Sequence, residues 1–106
     1  MINQKIFKFS GFTIKKYIKN IGKFTIHDDF NIQINNDYRI ITYLWYLNDV
    51  FEGGETDFLD KIKIIPEKGK LIFFPSFWTH PHSALMPISN DKYIITGWIL
   101  LNDTKI

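Results

Sequence analysis

Short β-branched and aromatic runs fill this chain, and Gly, Asn, Asp or Pro interrupts them at close intervals, a pattern that predicts strands throughout. The candidate strands are Lys5–Phe9, Phe12–Lys19, Lys23–His27, Tyr38–Leu47, Lys61–Ile65, Leu71–Phe74, Thr79–Met86 and Lys92–Leu101. Lys61-Ile62-Lys63-Ile64 and Lys23-Phe24-Thr25-Ile26 alternate polar and apolar with period two. Tyr38–Leu47 is almost wholly apolar, as a strand buried on both faces would be. Ile40, Ile41, Thr42 and its aromatic residues favour strand over helix there. Breakers fall at Asn35-Asn36-Asp37, Gly53-Gly54, Pro66 to Gly69 and Pro87 to Asp91. About eight strands in a chain of this length predict a sandwich or jelly roll. No segment reads as a long helix, so a helical buttress for the sheet is missing or lies outside this chain.

Length and composition narrow the picture. The 106 residues fit one domain spanning residues 1–106. At 45% hydrophobic and 23% charged, the chain is too apolar for a disordered one. The net charge of +2, with no basic block of five or more, argues against a nucleic-acid binder or a membrane-surface binder. No apolar run approaches the ~20 residues of a membrane span, and no secretory segment opens the chain. With no cysteine, disulfides, thiolate metal sites and cysteine nucleophiles are all excluded. By elimination the expected location is intracellular, in the cytoplasm. Nineteen Ile and twelve Lys against the single Arg39 suggest an AT-rich genome, so Lys and Ile abundance carries no functional signal.

The chemistry must then come from few residues. The three His stand at 27, 80 and 82, each at the end of an extended segment. In a strand, residues i and i+2 share a face, so His27 and Asp29 can converge on one ion while Asp28 points away. Adding one imidazole from a distant strand makes a facial triad, the arrangement suited to ferrous iron with open positions opposite. Read alone, His-x-Asp is more often a solvated loop with a turn cap.

The ordered set of landmarks is far more specific. It comprises His27-x-Asp29, Arg39-Ile-Ile-Thr42, Tyr46-Leu47-Asn48-Asp49 and Gly53-Gly54-Glu55-Thr56-x-Phe58. Pro66-x-x-Gly69, Phe74-Pro75, His82, Lys92 and Thr96-Gly97-Trp98 follow in turn. From about residue 12 to 101 the sequence resembles the iron(II)- and 2-oxoglutarate-dependent dioxygenases, in particular their prolyl 4-hydroxylase-like branch. The resemblance implies a mainly β, double-stranded β-helix (jelly roll), here lacking most of the usual N-terminal helical support. It implies His27, Asp29 and His82 as metal ligands and catalytic centre. It also implies Lys92 as cation for the distal carboxylate of 2-oxoglutarate, with Thr56 and Tyr17 as hydroxyl partners. His82 is preferred over His80 because in this family the cation follows the ligand His by about ten positions, and 92 − 82 = 10. Trp98 and the Phe77-Trp78 loop would wall the substrate side, although core packing explains Trp98 equally well.

The implied function is hydroxylation of a substrate C–H bond, with a prolyl residue of a peptide or protein as the expected target. The implied requirements are Fe(II), 2-oxoglutarate and O2, with ascorbate as a further candidate. A non-catalytic jelly-roll module that binds metal or 2-oxoglutarate, or serves interaction alone, is the alternative. The expected partners are a peptide or protein substrate, and a second copy or a partner segment over the uncovered sheet face. No nucleic acid and no membrane are expected.

Overall fold

The computed structural model describes residues 3–30 and 37–105; the predicted breaker at Asn35-Asn36 lies outside them. Eight strands run in chain order: β1 (Asn3–Tyr17), β2 (Phe24–His27), β3 (Tyr38–Tyr46), β4 (Thr56–Phe58), β5 (Ile62–Ile64), β6 (Leu71–Pro75), β7 (His82–Ala84) and β8 (Lys92–Lys105). They form two four-stranded antiparallel sheets, ordered β1-β8-β3-β6 and β2-β7-β4-β5. This is the expected jelly roll, and no helix occurs among the described residues.

The observed strands depart from the predicted ones at several points. Lys5–Phe9 and Phe12–Lys19 are not separate strands. Ser10-Gly11 is absorbed as a bulge between Phe9 and Phe12, with Gly11 at φ +88°, and β1 continues along β8 from Asn3↔Lys105 to Tyr17↔Lys92. Thr56-Asp57-Phe58 is a strand without a three-residue sequence signal; pairing on both sides, with β5 and β7, makes it one. Thr79–Met86 shrinks to His82–Ala84, because a turn closed by His80 N–H on the Phe77 carbonyl (3.1 Å) takes up its first residues.

The larger sheet has two unlike faces. Inward, Leu44, Tyr46 and Ile94 are buried, with Tyr17, Ile64 and Ile72 packed against them. Outward, the alternate positions Phe7, Phe9, Phe12 and Ile14 of β1 and Phe73 of β6 are all at least 60% exposed. Gly97 lies on that outer side of β8, where a Cβ would collide with the Tyr43 hydroxyl and the Gly11 carbonyl oxygen. Its missing side chain lets the Tyr43 hydroxyl donate to Gly11 O across β8 (3.1 Å). Between β3 and β4, Gly53 and Gly54 take φ of +74° and +76°, conformations that disfavour any residue with a Cβ. They fold the loop back on Met86, whose carbonyl accepts from Gly54 N–H (3.1 Å), and so carry β4 under β7.

Candidate active site

A cavity of about 230 Å³ opens between the sheets. Three lone-pair donors converge in it: the Asp29 Oδ1 lies 3.1 Å from His27 Nε2 and 3.5 Å from His82 Nε2. All three ligand atoms fall within 4.8 Å of one another. Each imidazole is oriented from behind by a backbone carbonyl, His27 Nδ1 by Thr25 O (2.7 Å) and His82 Nδ1 by His80 O (3.1 Å). A carbonyl oxygen only accepts, so each Nδ1 carries a proton and each ring turns its Nε2 toward the carboxylate. Two imidazole nitrogens and a carboxylate oxygen at this spacing could hold one metal ion among them. Burial pushes the His82 pKa below its usual value, against the opposing pull of Asp29, and so favours the neutral ring. The donor set, two imidazole nitrogens and one carboxylate oxygen, fits a ferrous ion with positions left open.

Local structure explains the convergence differently from simple alternation. Only His27 of the pair belongs to a strand; Asp28 and Asp29 lie in the loop after β2. A register shift between Phe24 and His27 lets both residues line the cavity, which strict alternation would forbid. Asp28 also borders the cavity mouth, where its Oδ1 accepts from Phe30 N–H (3.0 Å). Asp29, in contrast, is buried. Its Oδ2 accepts from Thr42 Oγ1 (2.7 Å) and Trp98 Nε1 (3.3 Å).

Lys92 lies at the inner end of the same cavity with 1% of its surface exposed. Its Nζ donates to Gly54 O (2.8 Å) and sits 4.4 Å above the Tyr17 ring. Burial pulls its pKa down to about 8, against the opposing pull of nearby Glu55. Thr56 and Tyr17 both line the cavity, as the sequence suggested. Tyr17, however, offers the ammonium its ring face rather than its hydroxyl. The Thr56 hydroxyl is engaged by the hydroxyl of the fully buried Tyr46, whose pKa burial pushes up to about 12.

Trp98 borders the cavity, and the Arg39 guanidinium stacks 3.5 Å from its ring centre. The same guanidinium donates to the Asp29 carbonyl (3.4 Å). Trp78 does not border the cavity; it stands in the Phe77–His80 turn, 78% exposed. His80 lines a separate apolar cavity between Phe58, Ile72 and Pro81. In the sequence, Thr42 has no role beyond its place in the Arg39-Ile-Ile-Thr42 landmark, and a Ser after Pro such as Ser76 carries no distinguishing signal. Arg39 was noticed without a partner; the structure supplies Trp98 and Asp29.

Comparison with known proteins agrees with this geometry. Residues 12–100 match the family model of the 2OG-Fe(II) oxygenase superfamily. The chain belongs to that family. Its members' shared requirements imply Fe(II), 2-oxoglutarate and O2. Among solved structures, the chain is similar to the viral collagen prolyl hydroxylase of Paramecium bursaria Chlorella virus-1 in its 2OG complex, with 29% identity and a TM-score of 0.79. That match covers 90% of this chain and 60% of the viral enzyme. A Trichoplax adhaerens prolyl hydroxylase, solved with a peptide of the hypoxia inducible factor oxygen degradation domain, gives 26% identity and 0.65 over 88% of this chain and 46% of the other. A Pseudomonas putida prolyl-4-hydroxylase, at 22% identity and 0.69 over 89% and 52%, shares the fold. The chain thus spans between about half and three-fifths of these relatives. No functionally curated protein matches it. No helix among the described residues is long and apolar enough to cross a membrane.

Proposed function

We propose that the protein is an Fe(II)- and 2-oxoglutarate-dependent dioxygenase that hydroxylates a prolyl residue of a peptide or protein. One observation carries this reading: three side chains able to hold a metal ion and a buried ammonium line one cavity. His27, Asp29 and His82 would hold the iron. Lys92 would receive the distal carboxylate of 2-oxoglutarate, with Thr56 beside it and the Tyr17 ring facing its ammonium. When bound, iron supplies the oxidative chemistry that couples co-substrate decarboxylation to hydroxylation of the substrate. The chain's own residues bind and orient. The Nδ1 protons stay on the carbonyl side, the apolar walls of Leu44, Phe74 and Ile94 exclude water, and Trp98 with Arg39 borders the entrance where a substrate would lie.

The prolyl preference is supported by the likeness to the viral and Trichoplax enzymes. Succinate release from 2-oxoglutarate with Fe(II), measured with and without proline-containing peptides, tests it. Peptide-dependent succinate with hydroxyproline in the product supports the reading. Binding of metal and 2-oxoglutarate without turnover would leave a binding module instead. We also propose that a second copy of the chain covers the outer face of the larger sheet. Phe7, Phe9, Phe12, Ile14 and Phe73, each at least 60% exposed, share that face, and soluble monomers rarely leave such a contiguous apolar stretch bare.

A further inference from the structure

A carboxylate can bind a metal through one oxygen or through both, and the second mode takes up a coordination position. An oxygenase centre of three protein ligands needs its remaining positions free. Asp29 is arranged for the first mode. Its Oδ1 faces His27 Nε2 and His82 Nε2, while its Oδ2 points into the protein and accepts from Thr42 Oγ1 and Trp98 Nε1.

The Thr42 hydroxyl has a second neighbour, Ser76 Oγ, at 2.9 Å. Thr42 is 1% exposed and Ser76 fully buried, so water does not arbitrate the direction of these bonds. Chemistry does. A metal-binding carboxylate is ionised and only accepts, so the one Thr42 proton goes to Asp29 Oδ2. Thr42 Oγ1 can then only accept from Ser76, and the Ser76 proton must point at Thr42. Bonds run in one direction, from Ser76 to Thr42 to Asp29, and each donor polarises the next. The backbone fixes both ends of the relay. Thr42 pairs with Phe74 across β3 and β6, and Ser76 N–H donates to Ile40 O (3.0 Å) just beyond that ladder.

We propose that Ser76, acting through Thr42, is a positioning residue that pins Asp29 as a one-oxygen ligand and so keeps the opposite face of the metal open. This rests on the metal-centre reading above. Neither hydroxyl belongs to the ligand set.

The metal-free full chain, titrated with Co(II) in the absence of 2-oxoglutarate, tests the proposal by affinity and by the d–d absorption spectrum. Wild type should bind a single Co(II). Thr42→Val, which keeps the side-chain shape and removes the donor, should bind about 10- to 100-fold more weakly, as losses of outer-shell partners typically do. Its spectrum should also change, because Oδ2, then held by Trp98 Nε1 alone, can enter the coordination sphere. Ser76→Ala should move both readouts in the same direction by a smaller factor. Thr42→Ser, which restores the hydroxyl, should recover both. Should Thr42→Val not fold by circular dichroism, Ser76→Ala and Thr42→Ser carry the comparison. Wild-type affinity and spectrum in Ser76→Ala and Thr42→Val would overturn the relay and leave the metal centre standing. Weaker binding with an unchanged spectrum, or without recovery in Thr42→Ser, would reduce both residues to packing and equally overturn it. Absence of Co(II) binding by folded wild type would remove the metal-centre reading itself, and the relay with it.

Discussion

Replacing Lys92 by Met should make the protein more stable and less able to use 2-oxoglutarate. In the absence of co-substrate the Lys92 ammonium is buried with one carbonyl acceptor, Gly54 O, and one aromatic face, Tyr17. Its pKa falls from 10.5 to about 8 in the folded state. The unfolded chain therefore holds the proton more tightly, and stability rises with pH between about 8 and 10.5. Below that window the folded state bears the full cost of the buried cation. At ~1.4 kcal/mol per pH unit this is on the order of 3 kcal/mol. Met fills a similar volume without charge but leaves Gly54 O without its donor, a loss of ~1 kcal/mol. The variant should thus gain on the order of 2 kcal/mol at pH 6.5. At pH 10 the cost in wild type has fallen to ~1 kcal/mol, and the two proteins should be nearly equal. Urea unfolding of both proteins at the two pH values, followed by tryptophan fluorescence, measures the difference. Adding 2-oxoglutarate with a redox-inert divalent metal should stabilise wild type much more than the variant, because the co-substrate carboxylate loses a buried partner worth roughly 3–5 kcal/mol. A variant less stable than wild type at pH 6.5, by an amount unchanged at pH 10, would refute the reasoning.

Other perturbations have equally definite outcomes. Asp29→Ala should lose stoichiometric ferrous binding, whereas Asp28→Ala, whose carboxylate caps the Phe30 amide, should keep it; equal iron content in the two proteins, by inductively coupled plasma analysis, would defeat the ligand assignment. His82→Ala should lose iron and succinate formation together, while His80→Ala, altered in a different cavity, should retain iron; the reverse pattern would move the ligand to His80. Gly97→Ala should destabilise the sheet by roughly 1–3 kcal/mol through overpacking against Tyr43 and Gly11 O, with Tyr43→Phe recovering part of it in thermal unfolding; an unchanged melting temperature would contradict the crossing contact. Light scattering should report a dimer that Phe9→Ser and Phe73→Ser disrupt; a monodisperse wild-type monomer at micromolar concentration would sink the second-copy proposal.

Much of this protein was legible in one dimension. Strand-forming runs cut by turn residues specify an all-β chain, because β-branched and aromatic side chains suit a pleated surface and Gly, Asn and Pro do not. The order of landmarks from His27-x-Asp29 to Thr96-Gly97-Trp98 carried the family, since each needs its own residue type at its own distance. Local pattern could not show what depends on distant neighbours. β4 is a strand only because β5 and β7 flank it, and β1 runs through Ser10-Gly11 only because β8 tolerates a bulge there. His27 reaches the cavity through a register shift opposite β7, not by alternation, and Asp29 reaches it from a loop. Trp78, expected with Trp98 on the substrate side, turns out to solvent in the bend that precedes β7. The directed bonds from Ser76 through Thr42 to Asp29 join residues 34 and 13 positions apart. Their sense is set by burial, which removes water as an alternative partner, and burial is a property the chain acquires only when the two sheets close.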